Sequence, residues 1–185
     1  MENVIKQITT SKLFNNVNID DIENLLNNIN YRIINLVKNE YVFDSFTNSD
    51  YIGIILSGNI NIEKILPSGK SVFMYSKRKG DIFGEVAAFS KTKHYPCNVI
   101  SQSKTSLILF HKLEFFKLLE LNSNVLNNFL SLICDKTFSL NNRVATLSLY
   151  RELDILSKDL VISFIKSNTI KILNIAKLEE VLNIL

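Results

Sequence analysis

The sequence predicts a mixed α+β protein: an antiparallel β-barrel or jelly roll with flanking helices, followed by one long helix. Three observations carry this. All five glycines and both prolines fall between Tyr31 and Phe110. The same window holds seven short runs rich in β-branched and aromatic residues, the pattern of strands joined by tight turns. Beyond it, apolar residues return every three or four positions, the period of helices with one buried face.

Totals narrow the function classes. Of 185 residues, 46% are hydrophobic and 21% charged, a balance typical of folded soluble domains. No run of about 18 apolar residues suits a membrane span, and the first residues lack the apolar core of a secretory signal. Cys97 and Cys134 are too few and too isolated for a disulfide framework or a metal knuckle. A cytoplasmic protein without a membrane partner is expected. The net charge of +3 announces no phosphate-tracking surface, and neither part of the chain is polarised: residues 1–121 carry 14 basic and 12 acidic side chains, residues 122–185 carry 7 and 6. Lys77-Arg78-Lys79 is the one basic cluster, expected to solvate a turn before Gly80.

In order, Asn18 with Asp20 and Asp21 reads as a capped helix start, and Ile22, Leu25, Leu26 and Ile29 give that helix a buried face. Strands are expected over Ile33–Val37, Tyr41–Phe43, Tyr51–Leu56, Asn59–Ile62, Ser71–Tyr75, Cys97–Ile100 and Ser106–Phe110. Ser57-Gly58-Asn59 and Leu66-Pro67-Ser68-Gly69-Lys70 supply turns. The longest interruption, Gly80 to Pro96, is where a barrel of this kind tends to carry function. It contains Gly80-Asp81-Ile82-Phe83-Gly84-Glu85, in which two glycines allow close approach to the main chain and one carboxylate sits at the barrel mouth. A short helix over 112–120, with Leu113, Phe116 and Leu119 on one side, leads to Asn122-Ser123-Asn124, which ends it and caps the next.

The long helix, 124–150, carries a second signal. Leu126, Leu130, Ile133, Thr137, Leu140, Val144 and Leu147 follow at alternating spacings of four and three, a heptad seam, while Phe129, Leu132 and Phe138 lie off it. Two apolar faces on one helix suggest that one covers the barrel and the other meets a second copy of the chain. A further amphipathic helix is expected over 151–166 (Leu153, Leu156, Leu160, Phe164), then a strand at Thr169–Ile172 and a helix over 175–183 capped by Asn174.

This order of parts resembles the cyclic-AMP receptor protein/FNR family of bacterial transcription regulators. The resemblance covers nearly the whole chain and is carried by Ile55-Leu56-Ser57-Gly58, by Gly80-Asp81-Ile82-Phe83-Gly84-Glu85, and by Lys177-Leu178-Glu179-Glu180-Val181-Leu182-Asn183, which looks like the first helix of a helix-turn-helix. It implies a homodimeric sensor: a cyclic-nucleotide-binding-like effector domain over 1–123, a dimerisation helix over 124–150, and over 151–185 the first part of a winged helix-turn-helix, cut short before the recognition helix. DNA would then be a partner through the complete helix-turn-helix of a longer parent, with RNA polymerase a possible further one. The effector pocket implied is formed by Phe83, Gly84, Glu85, Val86, Tyr95, Pro96 and Cys97, with Leu140 and Asn141 from the long helix.

One departure matters. Cyclic-nucleotide-binding members place an arginine and a small hydroxyl residue where this chain has Tyr95 and Pro96. A cyclic phosphate calls for a charge-assisted donor, whereas proline has no N–H. The effector is therefore expected to be a small molecule other than cyclic AMP, with no cofactor or metal named. Residues 1–30 have no cysteine for an iron–sulfur cluster. His94 or Cys97 as haem ligands, and Cys97 or Cys134 as redox sensors, are weaker readings beside a loop histidine and ordinary thiols. A jelly-roll enzyme would need histidines converging on a metal, and His94 and His111 are the only two. Gly69-Lys70-Ser71 has Lys64 where a phosphate-cradling Gly-x-x-x-x-Gly-Lys-Ser/Thr loop needs its first glycine, and no Ser-His-Asp arrangement is present, so catalysis is not expected. A stand-alone ligand-binding or dimerisation protein, or a true cyclic-nucleotide-binding module, are the alternatives.

Overall fold

A computed structural model describes residues 2–44, 46–91, 94–159, 162–166 and 169–182. Two compact units are present, 1–132 and 133–185. The first opens with α1 (Glu2–Ile8), a 3-10 turn (Lys12–Phe14) and α2 (Ile19–Asn27). Eight strands follow: β1 (Arg32–Leu36), β2 (Tyr41–Phe43), β3 (Tyr51–Ser57), β4 (Asn59–Ile65), β5 (Ser71–Arg78), β6 (Ile82–Phe83), β7 (Asn98–Ser101) and β8 (Thr105–His111). A short helix, α3 (Glu85–Phe89), sits between β6 and β7, and α4 (Lys112–Leu121) closes the series. The mixed α+β, jelly-roll-like class expected from the sequence is the one observed.

The strands form two four-stranded sheets, ordered β1-β8-β3-β6 and β2-β7-β4-β5, with every pair antiparallel. Side chains alternate across a strand, and the inward positions of both sheets meet in one core. Ile55, Leu107, Leu109 and Phe83 come from the first sheet, Phe43, Ile60, Ile62 and Val99 from the second. The central strands of the first sheet, β3 and β8, are buried on their other face too, because helices cover them, whereas β1 at the edge stays largely exposed. Phe110 of β8 meets Phe115 of α4, which meets Phe129 of the long helix, in edge-to-face contacts of 5.9 and 5.3 Å. Strands covered on both faces read as near-continuous apolar runs, as Tyr51–Leu56 and Leu107–Phe110 do.

Several local expectations hold. Leu66 N donates to the Lys70 carbonyl in the β4–β5 turn. Asn122 Oδ1 accepts from the amides of Asn124 and Val125 and so starts the long helix, and Asn174 Oδ1 accepts from Lys177 N. Asn18 occupies the N-cap of α2, but its side chain makes no capping hydrogen bond. Two corrections concern helix faces and strand ends. On α4 the buried residues are Phe115, Leu118 and Leu119, with Leu113 and Phe116 exposed. That helix is apolar nearly all round, so spacing alone left two candidate stripes, and docking between Phe110 and Phe129 selected one. The basic cluster is a solvated turn only in part: Lys79 is exposed in the turn before Gly80, but β5 runs on to Arg78 and pairs Lys77 with Ile60.

The long helix, α5 (Ser123–Lys158), is 36 residues and continues past the expected stop at 150. Its first turns are tied to the amino-terminal segment by Asn128 Nδ2, which donates to the carbonyls of Leu13 and Asn15. The second unit also contains β9 (Ile162–Lys166), β10 (Thr169–Ile172) and α6 (Ile175–Leu182). The separate helix expected over 151–166 is thus replaced by the end of α5 and by a strand. Its spacing suited either element, and antiparallel pairing of Ile162 with Ile172 and Phe164 with Ile170 decided it. Leu160 and Asn183, named in those expectations, lie outside the described residues. Among the described residues, no helix is long and apolar enough to cross a membrane.

Candidate functional site

The expected seventeen-residue interruption between β5 and β7 is structured. Gly80 and Asp81 turn the chain: Gly80 N donates to the Ile55 carbonyl, and Asp81 Oδ2 accepts from Arg78 N. β6 then pairs with β3, placing Phe83 opposite Gly53. The Phe83 ring occupies the space over Gly53, so that a Cβ there would lie 2.1 Å from it. Gly84 adopts φ +84 and starts α3. A Cβ on Gly84 would come within 2.7 Å of the Tyr51 carbonyl oxygen, a backbone atom that cannot move aside. Gly84→Ala therefore combines left-handed strain of about 1–2 kcal/mol with overpacking of about 1–3 kcal/mol. A loss of this combined size is expected in the midpoint of urea unfolding, and an unchanged midpoint would show that the turn is softer than this geometry.

Around this turn lies a cavity of about 160 Å³. Phe83, Gly84, Glu85, Val86, Tyr95, Pro96 and Cys97, singled out from the sequence, all line it. The structure adds Ile62 and Val99 from the second sheet, Ala87 from α3, and Tyr75 and Lys77 from β5. Sheet register explains the last two. Tyr75 pairs with Ile62 and Lys77 with Ile60, both of which point into the core, so positions 75 and 77 share the inward face of β5. The signal was present in the alternation of the strand, but it required β5 to extend to Arg78. Leu140 and Asn141, also singled out from the sequence, are exposed residues of α5 in the second unit.

The polar groups of the cavity differ in character. Tyr95 is only 3% exposed. Its ring stacks on Phe43 at 4.1 Å, with 4° between the planes. Its hydroxyl donates to the Tyr51 carbonyl and accepts from Tyr51 N at 3.1 Å. Burial raises the phenol pKa far above its ordinary value, and the hydrogen bond to Tyr51 only partly opposes this. A tyrosine hydroxyl has one hydrogen to give, and here the protein's own backbone takes it. Glu85 is 5% exposed and is held by contacts within the chain. The Tyr75 phenol is raised by burial and, second, by the Glu85 carboxylate, which places those two groups within electrostatic reach. Lys77 Nζ lies 5.9 Å from the centre of the Tyr75 ring. Burial pushes the half-buried Cys97 thiol up, partly offset by Lys64, which disfavours the thiolate. His94 is exposed and bridges to Asn48. Among the described residues, no three histidine, cysteine or acidic side chains are grouped to hold a metal. Lys91 is exposed, and Lys93 lies outside the described residues.

Two antiparallel sheets around a core, with a Gly-Glu turn and short helix opening onto it, specify a fold, and comparison with known families agrees. The family model for the cyclic nucleotide-binding domain matches residues 33–122. Over those residues the barrel has the fold of a cyclic nucleotide-binding domain.

That match takes in β1 to β8 and α4, and hence the whole cavity. No curated protein matches in sequence. The fold is similar to that of the Thermus thermophilus catabolite activator protein, at 15% identity and TM-score 0.67, over 92% of this chain and 98% of that one. It is also similar to the sensor domain of the transcriptional regulator DNR from Pseudomonas aeruginosa, at 20% identity and TM-score 0.61, over 76% and 90% of the two chains. The regulatory subunit of a cAMP-independent protein kinase A from Trypanosoma brucei shares the barrel at 16% identity and TM-score 0.58, over 69% of this chain and 46% of that one. The structural neighbours thus include regulators of the type the sequence resembles, and the same fold recurs outside them.

Proposed function

We propose that this chain is the sensor part of a DNA-binding transcription regulator, in which the barrel binds a small effector other than cyclic AMP and α5 relays the event across a homodimer. The observation that carries the effector half is the commitment of Tyr95. At the position where nucleotide-binding relatives are expected to place an arginine, the side chain is packed on Phe43 with its hydrogen spent on Tyr51. Pro96, next in the chain, has no N–H to offer a phosphate. The cavity, about 160 Å³, is also roughly half the ~300 Å³ at which pockets for drug-sized ligands begin. A neighbour of the same fold described as cAMP-independent is consistent with this reading.

The relay half rests on the seam. Leu130, Leu140, Val144 and Leu147 are exposed apolar residues at heptad spacing, whereas Val125 and Phe129, off the seam, are buried against the barrel. The two faces suggested by the sequence are thus differently used at the start of α5. Thr137 is satisfied within its own helix, donating to the Ile133 carbonyl, so it adds little register of its own. Contact with DNA is assigned to a helix-turn-helix of which α6 would be the first helix, and the whole is read as a non-catalytic, cytoplasmic regulator. Calorimetric titration with cyclic AMP and cyclic GMP tests the effector reading. No heat of binding is expected at micromolar concentrations, and a saturable titration with either nucleotide overturns it.

A further inference from the structure

Resting on the reading of the barrel as an effector pocket, its wall points to a narrower class of guest. We infer that the effector is a small zwitterion with an apolar body, such as an apolar amino acid, its anionic group met by Lys77 and its cationic group by Glu85. Three observations combine. The cavity wall is mostly apolar, with Ile62, Phe83, Val86 and Val99 contributing. Among its described lining residues, Glu85 is the one acid and Lys77 the one base, so the formal charges of the wall cancel. Its volume, about 160 Å³, equals roughly five waters at ~30 Å³ each.

Charge and size together select the guest. A net anion gains from Lys77 but meets the Glu85 carboxylate in the same small space, and a net cation meets the reverse. A molecule carrying both signs is matched at each end, and charged hydrogen bonds are the strong ones. Glu85 and Lys77 each already take part in an interaction within the protein, and the guest is expected to join those interactions. Tyr75 is linked to both: it shares the inward face of β5 with Lys77 and feels the Glu85 carboxylate. Lys77 thereby becomes the specificity-determining residue of a pocket whose usual arginine position is filled by Tyr95.

Calorimetry on the 185-residue chain with leucine, isoleucine and phenylalanine tests this. Each is compared with its deaminated acid and its decarboxylated amine, and cyclic AMP is run alongside. At least one amino acid is expected to bind, with both truncated analogues weaker by roughly tenfold or more, the worth of one charged hydrogen bond. Lys77→Met and Glu85→Gln should each weaken the amino acid by a similar factor, whereas Lys77→Met should strengthen the amine and Glu85→Gln the acid, because each then loses the like charge that opposed it. The analogue series on the unaltered chain holds even if a variant fails to fold. A deaminated acid that binds as well as its parent, or a panel of amino acids without heat, overturns the zwitterion class. Heat from cyclic AMP overturns the underlying effector reading as well, whereas silence from both nucleotide and amino acids removes only the class.

Discussion

Tyr95→Ala is expected to lower the stability of the first unit by about 3–5 kcal/mol, the usual cost of removing a large buried aromatic side chain. Against the ~5–15 kcal/mol that holds a typical domain together, that leaves little margin. The loss has identifiable parts: the stack on Phe43 disappears, and Tyr51 N and its carbonyl lose their partner at the pocket rim. Tyr95→Phe keeps the ring and removes only those hydrogen bonds, so about 1–2 kcal/mol is expected. The buried phenol adds a pH signature. Its pKa is raised in the folded chain above the ordinary value of 10.0, so its contribution is complete below that value and shrinks as pH climbs above it. Tyr95→Phe should remove this alkaline component. Denaturant midpoints for the three proteins between pH 8 and 11 decide the matter. A Tyr95→Ala chain as stable as the parent would mean that Tyr95 is free to serve a ligand. By the same physics, Tyr95→Arg should not create a nucleotide site, since it buries an unpaired guanidinium against Phe43 and costs stability instead.

Leu140→Glu combined with Leu147→Glu should convert a dimer into a monomer while leaving the barrel folded. Both side chains are more than 60% exposed in the single chain, so their replacement costs no intramolecular packing. In a paired seam each would place a carboxylate at an a or d position facing its own copy, where apolar knobs are needed and like charges repel. Light scattering after size exclusion should give twice the chain mass for the parent and the chain mass for the variant. Far-ultraviolet circular dichroism should keep most of its amplitude. A parent chain that is already monomeric at tens of micromolar would remove the relay through α5 from the proposed function.

The legible and illegible parts of the fold separate along a physical line. Elements defined by their neighbours in sequence were readable: the turn at Leu66–Lys70, the cap at Asn122, and the alternating strands of the second sheet. So was the Gly80–Glu85 turn, because its glycines answer to backbone demands that only glycine meets cheaply. Ambiguity set in where a segment was apolar on more than one face or fitted two periods. On α4 the stripe was settled by Phe115 meeting Phe110 and Phe129, residues distant in sequence. At Ile162–Lys166 a helical spacing lost to a hairpin partner. Lys77 was read as a solvated charge because the cluster Lys77-Arg78-Lys79 has no obvious inward side. Only its pairing with Ile60 gives it one.

From the sequence by itself come the fold class, the order of parts through the barrel, the seam on the long helix and the stretch that forms the pocket, since each depends on composition, period or local turn chemistry. What the side chains in that pocket can do was decided by tertiary structure. That Tyr95 spends its hydroxyl on Tyr51, and that Lys77 and Glu85 share one small cavity, depends on which strands lie side by side. Strand order is set by burial across the whole barrel, and no local run of residues contains it.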